Sequence, residues 1–468
     1  MKEIKNNSFQ NMEEQQVYLS RVLEYIKTNK KTQPKACVET YGCQQNVSDS
    51  EHIKGMLVSM GYALCDDTDE ADFVLFNTCA VREHAEARVY GNLGALKHNK
   101  RRNPDMIIAI CGCMVQQAAV CERIKKSYPY VDIVFGTHAR HRLPEFVYKT
   151  IFDKKRVFEI SEQESEVIED IPIHRDGDLK GWLPIMHGCN NFCTYCIVPY
   201  VRGREHSREP SEIIKEVKEM VAEGFREITL LGQNVNSYGK GEKHGVNFAK
   251  LLRMINDIEG DFKIRFMTSH PKDCTEELLD TMAECEKVCH NLHLPMQSGS
   301  DRILKLMNRH YDTEKYYHLI EYARKKMPDI SLSSDIIVGF PGETYEDFCE
   351  TLRMLKKVRF TSLFTFIYSK RDGTPAAIMD DPVSREEKGK WFKELLLVQE
   401  KISKENYKDV IGKTFRVLCE GEGREDGFMA GRTDSNMVIE FKGDNTLYGK
   451  YLDVKVTELT NVLKGTII

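Results

Sequence analysis

HGCNNFCTYC, residues 187–196, sets Cys189, Cys193 and Cys196 in a C-x3-C-x2-C spacing, directly after an apolar run, LPIM at 183–186, that reads as a strand. Three thiolates leave a metal site one ligand short. A structural zinc site closes with four ligands, whereas an iron-sulfur cluster held by three cysteines keeps one iron open to a further ligand. His187 or His206 can supply a fourth ligand, so zinc stays as a rival at this point.

The strand before the triad is the first of six. LPIMHG (183–188), EITLLGQN (227–234), KIRFMTS (263–269), NLHLPMQ (291–297), SLSSDIIVGF (331–340) and SLFTFIYS (362–369) are separated by helical segments, which predicts a barrel-like or open α/β domain over residues 175–405. SREEKGKWFKELLLVQEKISKENY, 384–407, closes it as an amphipathic helix with Ser384 as N-cap and Glu386 and Glu387 in the first turn. Beyond it, FRVLCEGE, GFMAGRT, MVIEFK, YLDVKVTEL and GTII are short strands broken by Gly, Asp and Asn, the pattern of a small all-β barrel over 406–468. Upstream, KACVETYGC (35–43), DFVLFNTC (72–79), MIIAICGC (106–113) and VDIVFGT (131–137) alternate with helical stretches. They predict an open parallel α/β domain over 34–152, followed by an acidic surface connection from Glu159 to Asp170. Residues 1–33 read as a polar N-terminal extension, mobile or loosely docked, with one amphipathic stretch from Val17 to Ile26.

Composition narrows the classes. An apolar fraction of 41%, 30% charged residues, 30 Gly and 14 Pro in 468 residues fit neither a collagen-like nor a low-complexity chain. No run reaches the ~18 apolar residues of a membrane span, and the first thirty residues have no apolar signal core, so a cytoplasmic location is expected. In that reducing setting the 15 cysteines point to metal or redox chemistry rather than disulfides. The formal charge of −5 announces no global nucleic-acid field, so any such partner must be argued from local sites.

A second cysteine constellation lies in the first domain: Cys43 in YGCQQN, Cys79 in NTCAVRE and Cys113 in CGCMVQQ. Each follows the carboxyl end of a predicted strand, where ligands bind in open parallel sheets, so the three can converge on one crevice. Buried thiols acting as small apolar residues are the alternative. Cys111 lies two residues before Cys113, on the same face by strand alternation, and is a rival ligand; Cys113 is preferred because it is nearer the strand end. Cys285 and Cys289, spaced i, i+4 beside His290, read as core packing on one helical face. Cys37, Cys65, Cys121, Cys274, Cys349 and Cys419 receive no role.

The triad with an aromatic before its last cysteine, Tyr195, resembles the signature of radical S-adenosylmethionine enzymes. That resemblance implies a partial (β/α)6 barrel with its site at the strand carboxyl ends. It also implies a 4Fe-4S cluster whose open iron binds S-adenosylmethionine and passes it an electron, giving a 5′-deoxyadenosyl radical. Together with the first-domain cysteines, the chain resembles the methylthiotransferases, whose amino-terminal domain holds a second 4Fe-4S cluster through Cys43, Cys79 and Cys113. The resemblance runs from Lys35 to the end of the chain. YGCQQNVSDSE (41–51), GCNNFCTYCIVPYVRGRE (188–205), LPMQSGSDRILKLMNR (294–309), DIIVGFPGET (335–344) and GTPAA (373–377) are most similar to the branch acting on isopentenylated adenosine beside the tRNA anticodon. Gln45 stands where that branch usually shows Met. The resemblance implies methylthiolation of carbon 2 at tRNA position 37, with the anticodon stem-loop as partner and separate electron and sulfur donors. Sister enzymes acting on threonylcarbamoyl-adenosine or a ribosomal-protein aspartate are the near rivals, and a non-catalytic zinc-stabilised RNA-binding protein is the rival of another class. No general acid or base is demanded, and none is assigned.

Supporting motifs carry less weight. Tyr195, Gln233 in LLGQNVNSYG and Gln297 in LPMQSGSD are the candidate contacts to S-adenosylmethionine. GFPGE, 339–343, resembles the superfamily's adenine-contacting segment, although a strand-to-helix turn explains the same glycines. Arg202, Arg204, His206 and Arg208 form a positive cluster suited to a carboxylate or phosphates, or to ion pairs with Glu205 and Glu209. The terminal barrel resembles the TRAM module, with Arg424, Arg432 and Lys442 interleaved with Phe428 and Phe441, and KHNKRR at 97–102 adds a second basic run.

Overall fold

The structure is a computed structural model that describes residues 2–80, 83–160 and 168–468, with side chains described for 13–80, 86–160 and 168–468. Most of the expected acidic connection, residues 161–167, lies outside the described residues. The chain divides into two compact units, residues 1–177, 182–190 and 197–208 in one and residues 178–181, 191–196 and 209–468 in the other.

In the first unit, DFVLFNT and MIIAICG are apolar on both faces because the sheet they form is covered on both sides, as parallel sheets are. Six strands lie in the order Ala63–Leu64, Lys35–Tyr41, Phe73–Thr78, Ile107–Gly112, Ile133–Phe135, Val157–Glu159, all parallel. Register levels the ends that matter: Tyr41 pairs with Thr78 and Thr78 with Gly112. Two apolar layers flank the sheet, one around Phe73, Phe135 and Phe146 and the other around Phe76, Val89 and Leu93.

The N-terminal stretch differs from expectation. Lys2–Asn29 is one helix whose Leu19, Val22 and Ile26, spaced to share a face, are buried in the first layer. Burial of such side chains stabilises by about 1.5–3 kcal/mol each. Ring contacts of 5.2 Å, Tyr18 with Tyr148 and Tyr25 with Phe152, extend the seam, so the helix is docked rather than loose.

In the second unit, the last five expected strands form as read, whereas the first, expected over 183–188, is Lys180–Pro184, and Met186–His187 pairs antiparallel with His206–Ser207. The six strands lie in two sets. Lys263–Phe266, Glu227–Leu231 and Lys180–Pro184 are neighbours in that order, the first two residues of the last belonging to this unit. Asn291–His293, Ser331–Val338 and Ser362–Ile367 form the other set, and a parallel bridge between Ile264 and Val288 links the two into an open half-barrel. The helix Arg385–Lys408 follows, with the Ser384 hydroxyl accepting from the Glu387 amide at 3.2 Å. Five strands from Thr414–Glu422 to Leu463–Ile467 then close a small barrel around Val417, Ile439, Phe441 and Val454. Among the described residues, no helix is long and apolar enough to cross a membrane.

Candidate functional site

In the first unit the three predicted thiols meet at the levelled strand ends. Cys43 caps the helix Gln44–Ser59 in an extended conformation, and its sulfur faces the first amides of that helix. Cys79 follows Thr78 and Cys113 follows Gly112. Gly112 has φ +99°, and a Cβ there would meet the Thr78 carbonyl oxygen at 2.3 Å. This turn breaks the strand alternation expected for Cys111 and Cys113. Cys111 packs in the apolar layer with Phe73 and Phe135, whereas Cys113 faces Ala80, Ile197 and Val201.

Charge around these thiols is asymmetric. The Arg202 Nε donates to Cys113 Sγ at 3.0 Å and its Nη2 to Asp49 Oδ2 at 3.0 Å, while Arg140 pairs with the other oxygen of Asp49. A hydrogen bond from Cys79, the Arg202 charge and the helix amides lower the Cys43 thiol to about 5, against its burial. Burial raises Cys113, with Arg202 opposing. Burial also works against the Asp49 carboxylate, but Arg140 and Arg202 hold it below its usual range. His187 pairs across a two-residue ladder with His206, and burial with the nearby arginines depresses it to about 3. Among the described residues, no three His, Cys, Asp or Glu side chains close on a single-ion site.

The chain passes from the first unit to the second within the triad loop: Cys189 belongs to the first, Cys193 and Cys196 to the second. The Cys189 amide donates to the Gly203 carbonyl at 3.2 Å. In the second unit the loop is fastened by backbone. The Thr194 amide donates to the Met307 carbonyl, the Ala376 amide to the Thr194 carbonyl, and Asn308 Nδ2 to the Phe192 carbonyl. The stretches LPMQSGSDRILKLMNR and GTPAA are therefore the clamps of this loop. Arg309, 4% exposed, aims Nη1 at Cys193 Sγ at 3.3 Å and at the Tyr195 hydroxyl at 3.5 Å, and Nη2 at the Pro295 carbonyl at 2.8 Å. The Tyr195 ring packs on Ile303, Met307 and Phe340.

Loops after three successive strands of the half-barrel carry buried polar atoms with no hydrogen-bond partner among the described residues: Asn234 Oδ1, Ser269 Oγ, His270 Nε2 and Gln297 Oε1. Burial and the Arg309 charge keep His270 neutral, and its Nδ1 accepts from the Lys272 amide, which leaves the proton on Nε2 as a free donor. Buried orphan donors and acceptors cost about 1–3 kcal/mol each unless a ligand satisfies them. Gln297 is held at φ +70°. Gln233 lies half-buried beside Asn234. Ser269, His270 and Arg309 were not singled out from sequence; SHP after KIRFMT and NR after LKLM are too short to signal themselves.

Other readings change. Arg202 forms an ion pair with Asp49 at 3.0 Å and Arg208 one with Glu169 at 2.6 Å. Gly339 has φ +72° and abuts the stem of Lys388, which accounts for that glycine by packing. Cys285 ends its helix as C-cap and Cys289 lies beyond it, both buried, so they share no helical face. In the small barrel Phe441 is core, Arg432 pairs with Glu420 at 3.2 Å and Arg424 with Glu440 at 3.7 Å. In the basic run, Lys100 pairs with Asp132 at 2.9 Å.

Thiols on the loop after the first strand of an open half-barrel, with orphan polar atoms at its later strand ends, define a radical SAM protein, and the model of the Radical SAM superfamily matches residues 183–355. The model of the TRAM domain matches residues 408–468, and that of Uncharacterized protein family UPF0004 matches residues 35–136. Curated relatives named tRNA-2-methylthio-N(6)-dimethylallyladenosine synthase include one from Clostridium tetani, 50% identical over 94% of this chain and 97% of the relative, and one from Acetivibrio thermocellus, 49% identical over 98% and 96%. The chain belongs to the family of tRNA-2-methylthio-N(6)-dimethylallyladenosine synthases, and it is an enzyme. Among solved structures, the radical S-adenosylmethionine methyltransferase TsrM from Kitasatospora setae, with tryptophan and a SAM analog bound, has the same fold over 74% of this chain and 75% of its own, with TM-score 0.56 and 15% identity.

Proposed function

We propose that this chain adds a methylthio group to carbon 2 of N6-isopentenyladenosine at position 37 of tRNA, using S-adenosylmethionine and two 4Fe-4S clusters. The observation that carries the reading is the presence of two separate three-thiol sets in one chain, at the strand ends of two different α/β sheets. A methylthio product needs both a radical-generating site and a place to hold sulfur, and one three-cysteine set supplies only the first.

The residues fit the groups. Cys43, Cys79 and Cys113 form an all-thiol donor set in which the Cys79 hydrogen bond and the Arg202 charge shift Cys43 toward thiolate, the ligand form a cluster requires. Cys189, Cys193 and Cys196 would hold the other cluster, leaving one iron open. When bound, that cluster supplies the electron that cleaves S-adenosylmethionine. Arg309 holds the Cys193 sulfur and the Tyr195 hydroxyl in place through a fork fixed on the Pro295 carbonyl. Asn234, Ser269, His270 and Gln297 present two-sided polar groups suited to the amino-acid and ribose portions of the cofactor, with Tyr195 and Gln233 beside them. The TRAM barrel is the element for the anticodon stem-loop, a separate reductant supplies electrons, and the cluster at Cys43, Cys79 and Cys113 would hold or supply the sulfur.

Mass spectrometry of nucleosides from bulk tRNA, with and without this gene, tests the reading. Loss of the methylthio form with accumulation of isopentenyladenosine is the expected result. Unchanged isopentenyladenosine derivatives would overturn the substrate and move it to threonylcarbamoyl-adenosine or a ribosomal-protein side chain.

A further inference from the structure

The geometry points to Arg202 as the residue that sets the reduction potential of the cluster at Cys43, Cys79 and Cys113. It rests on the reading of those cysteines as cluster ligands and goes beyond it by assigning a positioning and tuning role to a residue that is no ligand.

Arg202 ends the helix Val198–Arg202, six residues after Cys196 in sequence, yet its side chain is buried against the first-domain thiols at 6% exposure. Three features separate this contact from an ordinary buried ion pair. The Nε–H is directed at sulfur, not at a carboxylate, and 3.0 Å is short for a donor to sulfur. Asp49 already has a cation in Arg140, so the second guanidinium leaves the network with one net positive charge, two arginines against one carboxylate. Finally, Arg202 and Asp49 are buried, where a charge is screened and solvated far less than at the surface.

One-electron reduction places one more negative charge on a cluster and its thiolates; the electron comes from an external reductant, no bond forms or breaks and no proton moves. An N–H···S bond and a net positive charge favour the more negative state, which raises the potential. Asp49 works in the opposite sense by offsetting one arginine. Arg202 and Asp49 are therefore opposed controls on one quantity.

The test uses the full chain with Cys189, Cys193 and Cys196 all replaced by Ala, so that a single cluster remains, reconstituted anaerobically and titrated with dithionite under electron paramagnetic resonance. In that background Arg202→Gln is expected to keep its iron and sulfide while the reduced-to-oxidised ratio at a fixed potential falls about tenfold, or about 59 mV. Arg202→Lys is expected to lie between, and Asp49→Asn to shift upward. An unchanged potential in Arg202→Gln with iron retained overturns the proposal. Should that variant fail to hold iron, Arg202→Lys and Asp49→Asn decide in its place, and no opposed shift in that pair overturns it. If the triple-Ala parent itself binds no iron and sulfide, the reading of Cys43, Cys79 and Cys113 as ligands falls first.

Discussion

Arg309 Nη1 lies 3.3 Å from the Cys193 sulfur while Nη2 of the same guanidinium bonds the Pro295 carbonyl at 2.8 Å, so one planar fork ties a triad cysteine to the loop after the fourth strand of the half-barrel. Lysine keeps the charge but cannot reach both partners at once. Arg309→Lys is expected to fold and to bind iron, but to cleave S-adenosylmethionine about 10²-fold more slowly, the order that a small misplacement costs. Counting 5′-deoxyadenosine per iron checks this; wild-type cleavage in the variant would reduce Arg309 to a packing residue.

The two thiol sets are expected to separate in function. Wild-type protein prepared anaerobically should carry about eight irons with matching sulfide, and Cys193→Ala should keep about half and lose all S-adenosylmethionine cleavage. Cys113→Ala should also keep about half, yet still cleave S-adenosylmethionine without producing methylthiolated tRNA. Zinc without sulfide in the wild type would remove the radical mechanism altogether.

Much of the fold was legible because its strands are long apolar runs ending in Gly or Thr-Cys turns, and the cysteine spacing needed no tertiary information. What stayed hidden depended on partners distant in sequence. Leu19, Val22 and Ile26 look too few to anchor a helix in so polar a stretch, since the other side of that seam comes from Phe146 and Tyr148. Val157–Glu159 is only three residues long and exists as a strand because Ile133–Phe135 offers a free edge. Arg202 read as a cofactor or phosphate contact, because Asp49 and Cys113, 153 and 89 residues away, cannot be seen from VRGREHSR.

Gly112 is expected to matter more than its neighbours. At φ +99° an alanine is strained by about 1–2 kcal/mol, and its Cβ at 2.3 Å from the Thr78 carbonyl oxygen forces the chain to move where Cys113 begins. Gly112→Ala should therefore lose the first-domain iron while triad-dependent cleavage of S-adenosylmethionine persists. Iron analysis alongside 5′-deoxyadenosine yield reads both at once. Gly91→Ala, in a helix with nothing within 4 Å of the new Cβ, should change neither.

Glu343 should give the half-barrel a pH dependence of definite sign. Its carboxyl is 2% exposed, and burial raises it to about 7, although the amides of Gly339 and Phe340 donate to it and Lys388 lies near. A folded-state value above the unfolded one means that the fold holds the proton more tightly, so the contribution is complete below about pH 4.5 and is lost as pH rises to about 7. The full span is on the order of 3 kcal/mol. Glutamine keeps an oxygen for the two amides and cannot ionise. Glu343→Gln should match the wild type in denaturant stability below about pH 4.5, exceed it increasingly up to about pH 7, and keep a constant advantage above that. Parallel pH profiles would instead mean that Glu343 ionises in the fold as readily as in the unfolded chain, its two amide bonds then outweighing the burial.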